Sequence, residues 1–330
     1  MKIQGFSKEG NWYKGNLHSH TTESDGKMTP DKAAEAYHGA GYHFICFSDH
    51  DRYTDWREQL DRKNFIILPG LEASVWLKEE TEPHSWIKAH HIHGILGPKR
   101  MQQNSKSPLW HHREKIDPPT FYGEWNGAFE AQKMCDRIRD KGCFTIYNHP
   151  NWSRVREEEF LNTEGLWALE IFNYGTDQED GTGTDVMHWD VLLREGRRIF
   201  AVAADDNHRE DLKDAFGGFV VVKAPELSHE AITDSLLTGN YYSSSGPAIY
   251  DWGIQDGIAF VKCSPVYRIN FVAGNRINDG ASYFAGSYDE TLEEANYPLE
   301  GHETYIRVEC CDCYGRTAWS NPIFLNEQVK

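Results

Sequence analysis

No run of the sequence approaches the roughly 20 consecutive apolar residues that a membrane-spanning helix needs, and the opening Met1–Lys8 has no apolar core of signal-peptide type. A cytoplasmic protein with no membrane partner is the expectation. Cysteine is scarce and odd in number: seven residues without regular spacing fit reduced thiols rather than a disulfide framework. Cys310, Cys311 and Cys313 lie close together, but no second Cys/His pair of zinc-finger spacing accompanies them, so they read as alternating strand residues. Basic charge is short as well, with 34 Lys and Arg against 51 Asp and Glu, a formal net charge of −17. That balance argues against an extended nucleic-acid partner, which calls for a basic face. It leaves room for a small anionic substrate held by cations. Internal repeats and low-complexity tracts are absent, and 39% hydrophobic with 26% charged residues excludes a disordered chain.

What the sequence does have is length and histidine. A chain of 330 residues suits one large barrel or two domains. His18 and His20 are separated by one residue, so on an extended strand they point the same way and can grip one metal ion. Asp25 follows a Thr/Ser-rich turn just before Gly26, where the chain can fold back and offer an oxygen to a neighbouring ion. Imidazole with carboxylate suits zinc, manganese or iron better than calcium.

Strand and helix signals then alternate. Thr29 as N-cap, Pro30 at the first helical position and the glycines at 39 and 41 bound a helix. Tyr42–Ser48, Phe65–Glu72, Ala89–Gly97, Cys143–Tyr147, Leu166–Phe172, Arg198–Ala204 and Phe219–Val222 read as strands, with helices over Ala128–Lys141, Val186–Glu195 and Ser228–Thr238. Repeated strand-then-helix units imply a parallel sheet and, at this number, a closed barrel, whose chemistry gathers at the C-terminal strand ends. His18, His20, His50, Glu72, His149, Asp206 and His208 all fall there. Gly97–Asn126 breaks the rhythm and reads as an insertion or lid. From about Gly239 the runs become short, aromatic and β-branched, which favours an antiparallel β domain. The expected division is therefore 1–239 for the barrel and 240–330 for a C-terminal β domain.

Taken in order, Leu17–Gly26, Ser48–Asp51, Gly70–Glu72, a His-bearing strand, Asn148–Pro150 and Asp206–His208 resemble the motifs of the polymerase and histidinol phosphatase (PHP) family over residues 14 to 240. The tail, with Ala318–Ile323, is similar to a β extension in some members. The resemblance implies an α/β fold with a distorted, TIM-like (β/α)7 barrel, two or three divalent ions (zinc, manganese or iron) and hydrolysis of phosphate esters. It implies that His18, His20 and Asp206 hold a first ion, that Glu72 bridges to a second held by His149 and a strand histidine, and that Asp25, His50 and His208 hold a third. The strand histidine is His91 or His93, and the family's sequence before Gly94–Gly97 favours His93. Asp205 and Asp206 are adjacent, and the Asp-x-His spacing to His208 selects Asp206. Glu72 and His208 are the catalytic candidates, and Asp49 is expected to orient a ligand histidine.

The physics of the reaction agrees. Phosphate monoesters resist hydrolysis because an anionic nucleophile must approach an anionic centre. Clustered cations reduce that repulsion and lower the pKa of bound water towards about 7, so metal-bound hydroxide can attack a small phosphorylated substrate. Arg52, Arg154 and Arg209 each follow a metal motif and are candidate phosphate clamps. Trp125, Trp152 and Trp189 are candidates for stacking or for the core, whereas His43, His90, His111 and His112 read as structural or surface residues. Three alternatives stand beside this reading: a phosphodiesterase or short-oligonucleotide exonuclease, with Gly97–Asn126 deciding between groove and pocket; an amidohydrolase, which a carbamylated strand-end lysine would favour; and a metal-binding protein without catalysis. Oligomeric state is left open.

Overall fold

The computed structural model describes residues 2–274 and 276–325. Its largest sheet runs, by hydrogen-bonded neighbours, through Phe200–Ala204, Ala168–Asn173, Cys143–Tyr147, Trp86–Leu96, Ile66–Lys78, Phe44–Phe47, Asn11–Asn16, Phe219–Ala224 and Tyr241–Ser244 into the C-terminal strands. Asn11–Asn16, Phe44–Phe47 and Ile66–Lys78 are parallel, as are Cys143–Tyr147, Ala168–Asn173 and Phe200–Ala204. Trp86–Leu96 lies between these two sets and runs antiparallel to both neighbours. The reason is length: only residues 79–85 join it to Ile66–Lys78, whereas a parallel crossover takes a dozen residues or more. The expectation of an all-parallel sheet is corrected accordingly.

Both faces of the sheet are buried, and the two-residue period divides the core. Phe144, Ile146, Ala168 and Val202 share one apolar cluster, while Cys143, Tyr147, Leu169 and Ala201 share the other with the helix Gly127–Arg139 and the helix Val186–Arg194. Among the described residues the strand ladder does not close fully into a barrel. At the mouth, Asp206 N–H donates to His18 O (2.9 Å) and His20 N–H to Asn207 O (2.9 Å), tying the two ends together. Deeper down, side chains bridge the seam: Ser243 Oγ and Tyr241 OH donate to Ala201 O at 2.8 and 3.0 Å.

The helix Pro30–Gly39 starts with Pro30 at its first turn, as read, but Thr29 makes no side-chain cap bond. It ends at Gly41, whose φ of +81° lets Tyr42 N–H reach back to Tyr37 O. Gly97–Asn126 forms a short helix Lys99–Gln103 and two short strands, one of which, Thr120–Tyr122, extends the sheet beside Ile66–Lys78.

The C-terminal strands are antiparallel. Part of them continues the large sheet; Ile249–Gln255, Ile258–Val266 and Leu292–Pro298 form a second sheet over a shared core that includes Trp252, Val261, Ile269, Phe271 and Val308. Lys2–Gln4 also pairs with Ile249–Gln255, so the first residues lie with the C-terminal sheet rather than with the 1–239 unit. Cys310 and Cys311 are strand residues and all seven cysteines are free. Among the described residues no helix is long and apolar enough to cross a membrane.

Candidate metal centre

Six segments deliver donors to one mouth. His18 and His20 follow Asn11–Asn16, His50 follows Phe44–Phe47, Glu72 sits in mid-strand, His91 comes from the antiparallel strand, His149 follows Cys143–Tyr147, and Asp206 and His208 follow Phe200–Ala204. His149 and Asp206 have φ of +24° and +57°, backbone strain of about 1–3 kcal/mol each that non-glycine residues accept where a site over-determines them.

The innermost donors almost touch. His18 Nε2 and His20 Nε2 are 3.1 Å apart, and each is 3.1 Å from Asp206 Oδ1. Both are 3.4 Å from a Glu72 oxygen. The other side of Glu72 faces His91 Nδ1 at 3.2 Å, His149 Nε2 at 3.2 Å and His50 Nδ1 at 3.1 Å. Asp25 reaches His208 Nε2 at 3.4 Å, His20 Nδ1 at 3.8 Å and His50 Nε2 at 3.9 Å. Ligand atoms about 2.0–2.2 Å from a zinc-like ion are about 3.0–3.5 Å from one another, so the inner spacings suit a cation at their centre. Orphaned buried atoms agree: Glu72 Oε2, Asp206 Oδ1, His50 Nδ1 and both ring nitrogens of His91 have no hydrogen-bond partner. The residues present therefore fit divalent ions.

Charge in the cluster is finely opposed. Burial pushes the Glu72 and Asp206 carboxyls up, but the surrounding imidazoles hold both well below the usual carboxylate range. Burial likewise opposes a proton on His18, yet Asp206, Glu72 and Glu170 draw its pKa well above the ordinary value. His208 reaches about 9 against its burial, through Asp25 and Asp206. Burial lowers His91 to about 4, which keeps it a neutral, ligating imidazole at neutral pH.

His91, not His93, lies among the donors. The antiparallel strand presents its N-terminal half to the mouth, so His91 is the outer residue and His93 one pleat deeper, with its Nε2 3.6 Å from Cys46 Sγ. Asp205 turns away from the mouth: its carboxylate accepts from Phe216, Gly217 and Gly218 N–H and from Tyr37 OH, and burial lifts it to about 7. Asp49 bonds to no histidine directly among the described residues and reaches His20 only through Ser24 Oγ, 3.5 Å from His20 Nδ1. It accepts from Thr21 N–H, Thr21 Oγ1 and Ser24 Oγ, and so fixes the turn after His20. The orienting carboxylate is Glu170, unread in the sequence: its Oε1 faces His18 Nδ1 at 2.9 Å, and its Oε2 accepts from His149 N–H and Asn173 Nδ2. Asn173 Nδ2 also donates to Asp206 Oδ2 (3.1 Å). An acid inside the apolar run Ala168–Phe172 was the one available signal.

Above the donors opens a cavity of about 870 Å³ lined by Trp76, Trp86, Trp152, Gln178, Glu179, Arg209 and Lys213 beside the metal-site residues. Of the three candidate arginines only Arg209 lines it, paired with Asp211 at 2.7 Å; Arg52 pairs with Glu23 and Arg154 with Asp180. Trp189 is buried in the core and Trp125 stacks on His90, leaving Trp152 alone of the three candidate indoles at the cavity. No residue of 97–126 lines the cavity, so the decision between groove and pocket does not lie with that segment.

No family model matches the chain, and no curated protein matches it. Solved structures do. A two-domain protein from Bacteroides vulgatus, described as containing a predicted PHP-like metal-dependent phosphoesterase, is similar over 93% of this chain and 92% of its own at 12% identity and a TM-score of 0.46. A structure from Bifidobacterium adolescentis, described as a metal-dependent phosphoesterase, covers 59% of this chain and 87% of its own at 15% identity and a TM-score of 0.38. An endonuclease Q in complex with a 27-mer duplex covers 70% of this chain and 58% of its own at 12% identity and a TM-score of 0.43. The first of these descriptions names the family that the sequence motifs resemble. The third overturns the charge-based expectation against extended nucleic acid, because a structurally similar chain was captured on a duplex. Net charge sums the whole molecule, and a partner meets one face. At such scores the chemistry rests on the geometry of the site alone.

Proposed function

We propose that this chain is a metal-dependent phosphoesterase acting on a small phosphorylated substrate. The observation that carries this reading is the convergence of His18, His20, Glu72 and Asp206 within 3.4 Å contacts, with buried atoms left unpartnered. His18, His20 and Asp206 would hold one ion; His91 and His149 a second; Asp25, His50 and His208 a third; and Glu72 would bridge. Two or three zinc, manganese or iron ions there would supply charge neutralisation and a water acidified towards about 7.

The chain's own part is arrangement. Glu170 Oε1 accepts from His18 Nδ1–H, which leaves the Nε2 lone pair for an ion. His149 Nδ1 is matched by Ser153 Oγ at 3.1 Å, which frees its Nε2 in the same way. Glu72 and His208, donors that also line the cavity, would be the catalytic residues, and Arg209 with Lys213 would receive phosphate oxygens on the cavity wall. Those same cations support a second reading, a phosphodiester with one more group to accommodate. Metal-stripped protein restored separately with manganese, zinc and iron, and tested on monoesters and diesters, should turn over only when loaded. Absence of turnover with all three metals on every ester class contradicts the proposal.

A further inference from the structure

The two tryptophans on the long hairpin are placed by its register. Side chains at 72, 74 and 76 share one face, and the partners of those positions are His93, His91 and Ala89. One face thus carries the bridging carboxylate, then Ser74 opposite His91, then Trp76, about 13 Å along the strand from Glu72 at 3.3 Å per residue. Continued without interruption, the pairing would set Ile87 opposite Lys78. A bulge intervenes after Leu77, and Trp86 takes that place. It turns Trp86 onto the cavity face, where its ring lies 4.5 Å from that of Trp76 at an interplanar angle of 33°. Bulges next to sites re-aim side chains in this way.

Trp152 arrives from the loop after His149. Trp76 and Trp152 lie 5.1 and 5.8 Å from the His91 ring, and Trp152 lies 5.1 Å from His149. Trp152 Nε1 donates to Glu179 Oε2 at 3.2 Å, which fixes the indole. Trp86 stays 64% exposed although it is a large apolar group. Core packing accounts for little of that indole, which lines the cavity with Lys78 Nζ 5.5 Å from its ring centre.

We propose that this indole wall is a stacking subsite for a flat aromatic ring, so that the substrate class is a phosphate ester whose organic part carries such a ring. The proposal rests on the phosphoesterase reading for the position of the phosphate and on the register and bulge for the position of the ring. Stacking on indole is the attraction a planar π-face gains here, while Arg209 and Lys213, both paired with Asp211, stand on the cavity wall where anionic oxygens could compete for them.

The test uses metal-loaded protein and three non-hydrolysable probes: phenylphosphonate, propylphosphonate and a glycosylphosphonate, titrated by calorimetry. Phenylphosphonate should bind about tenfold or more tighter than the other two. Trp76→Leu and Trp86→Leu should each reduce that preference severalfold; Trp86 is exposed, so its variant keeps the fold even if Trp76→Leu loosens the hairpin. Equal binding of phenyl and propyl probes, binding of none, preference for the glycosyl probe, or an unaltered preference in both variants would overturn the subsite. Hydrolysis of phenyl and propyl phosphate is recorded separately. Ring-selective binding without hydrolysis of either would keep the subsite and sink the phosphoesterase reading, whereas unselective hydrolysis would do the reverse.

Discussion

The mouth of the sheet and the C-terminal sandwich both bury charge, but only one of them completes it. In the sandwich Arg307 is 1% exposed and donates to Asp190 at 2.8 Å and to Glu309 at 2.7 Å, with its guanidinium 4.6 Å from the Trp189 ring. That cation has its carboxylates within the chain, and it joins the strand Tyr305–Cys311 at the C-terminal end of the large sheet to the helix Val186–Arg194. At the mouth, by contrast, Glu72 and Asp206 are buried with one oxygen each unpartnered, and His91 with two nitrogens. Buried polar groups are costly unless satisfied. The difference teaches that Arg307 is matched by carboxylates within the chain, whereas the mouth gathers acids and imidazoles whose spacing suits a cation at their centre.

Breaking the mouth should have the largest effect. Glu72→Ala should cost about 10³-fold in turnover and lower metal content, with the circular dichroism of the wild type retained; full activity would remove Glu72 from the centre. Breaking the sandwich should do the opposite. Arg307→Ala leaves Asp190 and Glu309 without their cation and should destabilise by about 3 kcal/mol in urea unfolding, with metal content per folded chain unchanged. A loss of metal in that variant would mean that the two regions are not independent. A milder cut is Glu170→Gln, which keeps the shape but can offer an amide N–H to His18 where a proton acceptor is needed. Metal affinity should fall about 10–100-fold by titration, and an unaltered affinity would leave Glu170 without an orienting role.

The comparison sharpens further with pH. His208 at the mouth has a folded pKa of about 9, above the ordinary 6.5, so in metal-free protein its stabilisation is present below pH 6.5 and lost as pH rises through 9. His229 lies away from the mouth with Nε2 3.0 Å from Leu96 O, and burial lowers it to about 4. Its stabilisation is present above pH 6.5 and lost as pH falls through 4. Thermal unfolding of the metal-free protein should therefore weaken at both ends. Metal should remove the alkaline limb, and His229→Gln should reduce but not abolish the acid limb, because burial lowers His90 and His91 to about 4 as well.

Legibility followed distance along the chain. His18 with His20 was readable from alternation along one extended segment, whereas Asp206 came from the Asp-x-His spacing of the resembled motif, its own φ being +57°. Choosing between His91 and His93 needed the direction of a strand, and that depends on a seven-residue link whose consequence appears only when neighbouring strands pair. Trp86 was unreadable for a related reason: one bulge changes the face of every residue beyond it. The clamp arginines failed differently. Arg52 and Arg154 are long side chains that found Glu23 and Asp180 once the loops were in place, and sequence proximity to a metal motif does not decide such choices. The alternation of strands and helices was legible, but the closed barrel expected from it was not matched among the described residues, where two backbone bonds at the mouth and the Ser243 and Tyr241 side chains bridge the seam instead.

The central claim is tested most directly by counting metal. Stripped protein dialysed against manganese or zinc and analysed by elemental spectrometry should hold at least two ions per chain, falling by one or more in Glu72→Ala. No bound ion, or a count in Glu72→Ala equal to that of the wild type, would contradict the account.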